Sequence, residues 1–523
     1  MYNPESYNEP FWAENSGFMT GRDPLGVQNS SIKTYGRLLP GMTNLTLRLR
    51  YYGFYMWILN EYDIKIKTKE ENTLQNQYNF VRRAELIIAR IMRHINPLEQ
   101  SVIGSDFTKD ESEIDILGYY DIKKGADKNK TTIKGSVYWD YESGALGQYY
   151  AGSLIALKLI IMESKFFIIQ NEGKKLAKAY DDNIDKEQKL KFLKAIETGK
   201  IDIETIEALP DFSINNIKVS STEWEFYCSM LLGIDGLDQL DENGITTSLR
   251  KETIKLYLDY LANNNLEYND RSFIKWQFNL NKNSSNNDSS FGWYYYYVNE
   301  AFHIALETIF WSMLVELQSK EKVIDEFIKE MTTLVLEDSK ATFLPDQSTV
   351  MTDIVYSCTE YSIDEVLEIL ENQVKSPINN KIAIVIAFRL MLTVYANNNH
   401  RLNEIVEFEK KYKIWGQKGR ISENLSIYIE STLQYDYEEF VKETIKKVIN
   451  DHINTAYRKM GNGESNLLKF IIEDGVIYHI QTMYPRHTSP RLKALENFLR
   501  DLSLVDKDKK LTSDGTAFLN SIE

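Results

Sequence analysis

The sequence predicts a mainly α-helical, multidomain protein, and three observations carry that expectation. Apolar residues recur at steps of three and four over long stretches, the spacing of one helix face. Ten prolines and 25 glycines in 523 residues are too few for the many turns of a β-sandwich. Hydrophobic residues make up 43% and charged residues 26%, a globular balance that excludes a wholly disordered chain. At roughly 150 residues per domain, the length implies about three or four units.

Composition also bounds function. Lys plus Arg is 61 and Asp plus Glu is 76, a net charge of −15. Such a chain is not a general nucleic-acid coat, because phosphate binding needs concentrated positive charge, although a local basic face can still meet DNA. Two cysteines, Cys228 and Cys358, cannot build a disulfide scaffold or a zinc ribbon and suit a reducing cytosol. The first ten residues lack a basic region before an apolar core, so they do not read as a signal peptide. The apolar run Leu154–Met162 contains a lysine and is about half the length of a membrane span. The expectation is a cytoplasmic protein without a membrane partner.

Along the chain, residues 1–42 read as irregular, punctuated by glycine and proline. A helix is expected from Asn44 to Tyr62, with Leu45, Leu49, Tyr52, Met56 and Leu59 on one face and Tyr51, Tyr55 and Ile58 on the other. A second runs over Leu74–Ile95, with Phe80, Ala84, Ile87, Ile88 and Ile91 inward and Arg82, Arg83, Arg90 and Arg93 opposite. Residues 104–135 read as a loop, and their Gly125–Thr132 string lacks the glycine a phosphate loop needs before its lysine. Ser362-Ile-Asp-Glu365 is a capping box. The implied organisation is a helical region (1–103), a small module (104–185), a helical region (186–280), a low-complexity flexible linker (281–290), a helical domain (291–460) and a second small module (461–523).

Two segments look alike. Near the C-terminus, Ser489-Pro490 opens an amphipathic helix bearing Leu492, Leu495, Phe498, Leu499 and Leu502, with Ser489 as expected N-cap. Leu504-Val505 forms a short strand, Asp506–Lys510 a charged turn, Leu511-Thr a return, and a last helix follows Gly515. Gly144–Asp182 repeats this order, with Met162–Lys165 as the turn and Phe166–Gln170 as the return strand. Leu502-Ser-Leu-Val505 and Leu511-Thr-Ser-Asp-Gly515 resemble the second half of a winged-helix domain. That resemblance implies two small winged-helix-like modules and, at the C-terminal one, duplex DNA contact through Arg486, His487, Arg491, Lys493, Lys507, Lys509 and Lys510. Asp501, Asp506 and Asp508 dilute this charge, so protein contact is the competing reading.

Asp23-Pro-Leu-Gly-Val-Gln, Leu38-Leu-Pro-Gly-Met42 and Arg48-Leu-Arg-Tyr-Tyr-Gly-Phe-Tyr-Met-Trp57 resemble the opening of uncharacterised bacterial proteins of phage-defence islands. The resemblance covers residues 23–57 and implies a setting, bacterial antiviral defence, rather than a reaction. Arg48 and Arg50 inside an aromatic helix must stack on rings or pair with carboxylates. Together with Arg82 and Arg83 they could instead hold a nucleotide or nucleic-acid phosphate.

Enzyme motifs give little. Glu300-Ala-Phe-His303, with Glu307 one turn on, has the spacing of a di-iron helix, but no second Glu-x-x-His accompanies it, and a satisfied core histidine is expected. Asp140, Glu163 and Lys165 are loosely spaced for a metal-dependent nuclease. The run Phe291–Tyr297 reads as a packed wall. No catalytic residue, cofactor or metal ligand is expected. The functional expectation is a non-enzymatic accessory or scaffold subunit of an antiphage complex, whose partners include an SMC-like ATPase or a nuclease from the same gene cluster. A kleisin-like subunit and a sequence-independent DNA-binding protein or nuclease are the alternatives.

Overall fold

The computed structural model describes residues 23–66, 71–95, 118–127, 138–233, 244–263, 270–318, 320–342, 350–375, 379–414, 419–461 and 467–522. It is mainly α, as the periodicity predicts. The elements used below are, in chain order, α1 (Asn29–Leu38), α2 (Arg50–Lys65), α3 (Leu74–Ile95), α4 (Ala151–Ala156), β1 (Ile160–Glu163), β2 (Phe166–Ile169), α5 (Asn171–Asp182), α6 (Thr222–Leu232), α7 (Asp270–Asn281), α8 (Asp288–Leu317), β3 (Glu321–Val323), α9 (Ile363–Lys375), α10 (Asn380–Asn398), α11 (Tyr437–Gly461), β4 (Phe470–Glu473), β5 (Val476–His479), α12 (Leu492–Asp501) and α13 (Ser513–Ser521). The chain forms two compact units: Met1–Arg37, Glu242–Gly244 and Arg271–Ser489 make the first, and Leu38–Asp241, Ile245–Asp270 and Pro490–Glu523 the second. Residues 461–489 and 490–523 thus fall in different units.

In the second unit α2 is buried all round from Arg50 to Leu59. Tyr51, Tyr52, Phe54, Tyr55, Met56, Trp57, Ile58 and Leu59 are inaccessible to solvent, so the helix is a core rod rather than a surface stripe. It packs against α5 at Gly53, where an added Cβ would lie 2.2 Å from the Tyr227 hydroxyl and 2.9 Å from the Tyr180 ring. The expected start at Asn44 is corrected to Arg50. The Thr43 hydroxyl accepts the Leu45 and Thr46 amides, and Asp501 accepts the Leu49 amide at 2.9 Å, which draws 43–49 into a turn. Helix α3 keeps its expected bounds and inward face, but Arg82 and Arg90 on the other side are buried as well.

In the first unit, α1 corrects the irregular reading of 29–38; residues 1–22 of that stretch lie outside the described residues. Helix α8 runs 30 residues, capped where the Asn287 side chain accepts the Ser290 amide at 2.8 Å, and packs along α10. The low-complexity stretch 281–290 ends α7 and begins α8. Trp293, Tyr294 and Tyr295 are buried, and Phe278 stacks on Tyr294 and Tyr297 with centroids 5.8 and 4.5 Å apart. The capping box forms: Ser362 Oγ accepts the Glu365 amide at 3.2 Å, and Glu365 reaches back to the Ser362 amide at 3.4 Å. A longer apolar stretch than Leu154–Met162 lies in Asn380–Lys411, which is long and apolar enough to cross a membrane by composition; 72% of its most apolar window is buried inside the fold. Strands β3, β5 and β4 form an antiparallel sheet in that order.

Gly53→Ala is expected to lower the unfolding free energy of the second unit by about 1–3 kcal/mol, because the new methyl must displace buried rings. Thermal and denaturant unfolding of the full chain measure this directly.

Candidate functional site

The two look-alike segments share atomic detail. In the first, Lys158 takes a left-handed conformation (φ 55°), the Leu159 amide donates to the Leu154 carbonyl at 2.9 Å, and the Leu159 carbonyl accepts the Gln170 amide at 2.9 Å. In the second, Ser503 has φ 59°, the Leu504 amide donates to the Leu499 carbonyl at 2.9 Å, and the Leu504 carbonyl accepts the Thr512 amide at 3.1 Å. The third residue of the following helix is glycine both times. A Cβ on Gly173 would lie 2.3 Å from the Leu159 carbonyl oxygen, and one on Gly515 1.9 Å from that of Leu504. Both are therefore helix–hairpin–helix elements in which the returning helix presses onto one carbonyl, a contact only glycine admits. They differ in hairpin size. β1 and β2 pair over four residues, whereas Val505 and Leu511 make a single bridge around a turn gathered by Asp506. The helix at the C-terminus starts at Leu492, not at the expected Ser489–Pro490. Arg491 takes φ 59° and no side chain caps the helix.

The basic residues expected to meet DNA do not form one set. Arg486 and His487 belong to the first unit and Arg491, Lys493, Lys507, Lys509 and Lys510 to the second. Lys493, Lys507 and Lys510 are exposed. Lys509 lies 3.2 Å from Glu496, which also holds Arg500 at 2.6 Å. Arg491 donates to the Leu39 carbonyl at 3.2 Å.

The four arginines of the phosphate reading, all in the second unit, are engaged by their own chain. Arg50 is buried. It pairs with Glu223 at 3.1 and 3.3 Å, donates to the Asp211 carbonyl at 2.6 Å and to that of Ser213, and lies 4.9 Å from the Tyr180 ring centre. Arg82 donates to the carbonyls of Ala126 and Trp139 at 2.6 and 2.8 Å, and to that of Tyr141. Arg83 pairs with Asp127 at 2.9 Å and reaches the Ile196 carbonyl at 2.9 Å. Arg48 pairs with Asp501 at 3.0 Å. The guanidiniums of Arg50, Arg82 and Arg83 thus join α2 or α3 to other segments of the chain, and that of Arg48 ties the turn before α2 to Asp501. Arg250 is likewise engaged by its own chain: it donates to Met230, Leu231 and Pro40 carbonyls at 2.7, 2.9 and 2.8 Å. Its bond to Pro40, and that of Arg491 to Leu39, give the Leu-Pro-Gly run an anchoring role. Glu85 is buried and accepts the Tyr55 hydroxyl and the Ala145 and Leu146 amides at 2.9, 3.2 and 2.8 Å; burial pushes its carboxyl up to about 7.

The first unit holds a chain of acids and histidines on α8. His303 is buried, with Nδ1 3.2 Å from Glu300 and Nε2 3.0 Å from Glu307. Burial works against its charge, but Glu307 and Glu300 outweigh it and raise its pKa well above the ordinary value. Glu307 also accepts the Gln28 side chain at 2.7 Å and the Arg486 amide at 3.0 Å. Glu300 accepts the Thr488 amide and hydroxyl at 3.0 and 2.8 Å and lies 3.3 Å from His487 Nδ1. His487, 29% exposed, then meets Glu371 of α9 at 3.0 Å, and Arg271 pairs with Glu371. The chain leads from core to surface and straps residues 486–488 onto α8. Its nitrogens face carboxylates, and among the described residues no group of three or more His, Cys, Asp or Glu side chains is arranged to hold a metal ion. The Glu300-x-x-His303 spacing is legible in the sequence; His487, which meets the same Glu300 from 187 positions away rather than DNA, is not.

No protein-family model matches the chain, and no curated protein or solved structure matches it either.

Two outcomes follow from this geometry. Arg50→Ala, which strands the buried Glu223 carboxylate, is expected to cost about 3–5 kcal/mol of unfolding free energy in the second unit, measured by denaturant titration. For the strap, burial opposes the His487 charge, but Glu300 and Glu371 raise its pKa above 6.5, so its contribution is complete below 6.5 and fades as pH rises through the raised value. Burial likewise opposes the Glu371 charge, but His487 and Arg271 hold that carboxyl at about 2 against an ordinary 4.5, so its contribution fades as pH falls below 4.5. The stability lost in His487→Gln, about 1 kcal/mol, should therefore peak between these limits. Thermal melts across pH check it, and a pH-independent difference would contradict it.

Proposed function

We propose that this chain is a non-catalytic accessory or scaffold subunit of a bacterial antiphage defence complex. It docks partner proteins through two winged-helix-like modules, the helix–hairpin–helix elements around β1–β2 and around Val505–Leu511. The observation that carries the reading is the charge bookkeeping of the second hairpin. Glu496 engages Arg500 and Lys509, and Asp506 and Asp508 sit among the three wing lysines, so the surface is mixed rather than phosphate-seeking. The spent guanidiniums of α2 and α3 support the same view. The antiviral setting rests on the resemblance of residues 23–57. An SMC-like ATPase or a nuclease from the same gene cluster is the partner expected, with a kleisin-like bridging role as one form this could take, in the cytoplasm.

A second reading, duplex DNA contact by the C-terminal module, is favoured by one feature: Lys493, Lys507 and Lys510 are exposed and have no ion-pair partner among the described residues. It would be sequence-independent and steeply salt-dependent.

Co-expression of the tagged chain with its neighbouring genes, followed by size-exclusion chromatography in about 0.5 M salt, tests the proposal; at that ionic strength surface charge contacts are largely screened. Stoichiometric retention of an ATPase or nuclease is expected. A chain that elutes alone from every co-expression, or that cleaves DNA by itself, contradicts it.

A further inference from the structure

The β1–β2 hairpin has two edges, and the protein treats them differently. On the β2 side, the Gln77 side chain of α3 donates to the Phe167 carbonyl at 2.9 Å and accepts the Phe167 amide at 2.9 Å. One carboxamide does there what a neighbouring strand would do. The same two bonds show that the amide and carbonyl of Phe167 point away from β1. Phe167 is opposite Met162 in the register, so this is a non-hydrogen-bonded pair, and the amide and carbonyl of Met162 point away from β2. Among the described residues neither group of Met162 has a partner.

Short length and the charges of Lys158, Glu163 and Lys165 blunt the open edge at its ends, and apolar side chains stand between them. Ile161 is 37% exposed, Met162 48% and Ile155 of α4 39%. No proline or bulge interrupts β1. The first unit shows the same kind of hairpin completed. β4 and β5 turn through Asp474 (φ 50°) and Gly475 (φ 75°), as β1 and β2 turn through Ser164 (φ 48°) and Lys165 (φ 71°), and there β3 adds as a third strand on β5, the counterpart of β2, where the first hairpin has Gln77.

We propose that the free edge of β1 is a strand-docking site, taking an extended, alternately apolar, acid-flanked segment of a partner protein. The inference rests on the docking role proposed above and names where and how one partner binds. Main-chain bonds to Met162 supply affinity, and Ile161 with Met162 supplies apolar contact. Charge selects the occupant. Lys158 and Lys165 stand exposed at the two ends of β1, and Glu163 between them leaves the edge net positive. A second copy of this chain fits poorly. Antiparallel self-pairing must set outward-facing Met162 against Met162 of the other copy, which brings together two edges of the same net positive charge.

The test uses the full chain and fluorescent synthetic octapeptides that alternate valine and threonine, with glutamate at both ends or lysine at both ends. The glutamate-ended peptide should bind saturably, at least about tenfold more tightly than the lysine-ended one, a difference of about 1.4 kcal/mol. Met162→Pro removes the outward amide without breaking a β1–β2 bond, and it should weaken binding more than about tenfold while preserving the melting temperature. Lys158→Glu combined with Lys165→Glu should reverse the peptide preference. Methylating alternate peptide amides, which leaves the protein untouched, should abolish binding even if the proline variant fails to fold. Equal binding of both peptides, no binding of either, binding indifferent to amide methylation, or a chain dimer dissolved by Met162→Pro would each overturn the proposal. Failure here with a partner still retained in co-expression removes the edge assignment alone. Loss of that partner removes the scaffold reading.

Discussion

A guanidinium moved out of water must find oxygen for its five donors, and that requirement organises the second unit. Arg50, Arg82 and Arg250 are almost wholly buried, and their bonds run mainly to backbone carbonyls: Asp211 and Ser213, Ala126, Tyr141 and Trp139, Met230, Leu231 and Pro40. Loop carbonyls that would otherwise need water are satisfied by a charge that would otherwise be stranded. The bonds of Arg50 and Arg82 tie the segments around 211–213, 126 and 139–141 to α2 and α3, while Arg250 closes the last carbonyls of α6 and holds Pro40. Carboxylates play the complementary part on α8, where Glu300 and Glu307 accept backbone amides from residues 486 and 488.

How much of this was legible depends on how local each cause is. Helix α3 could be read to its ends because its apolar spacing and its basic last turn lie within its own 22 residues. The start of α2 could not, because the residue that claims the Leu49 amide is Asp501, 452 positions away. The partners of Arg82 are hidden for the same reason, whereas Glu300 and Glu307 lie within one turn of His303 and are legible. Hairpin β4–β5 has a local cause, Asp474-Gly475 between two apolar runs, and is legible from that signal. The capping box at Ser362 and the burial of Phe291–Tyr296 needed only local chemistry and were readable.

The duplicated helix–hairpin–helix element joins sequence to the functional reading. The order of apolar and charged residues exposed the likeness, but the reason for it is stereochemical. A left-handed residue after the first helix turns a leucine carbonyl outward, the return strand donates to it, and a glycine lets the next helix close over it. One element keeps a four-residue strand pair and the other a single bridge, so the two present different edges and different charges from a common frame.

The central claim is that the arginines of α2 and α3 are internal struts, not contacts held ready for phosphate. Modification of the folded full chain with phenylglyoxal, read residue by residue by mass spectrometry, tests it most directly. The account predicts that exposed Arg486 reacts quickly, while Arg50, Arg82 and Arg250 stay unmodified until the chain unfolds. Reaction of Arg50 or Arg82 at the rate of Arg486, with the fold intact, would contradict it.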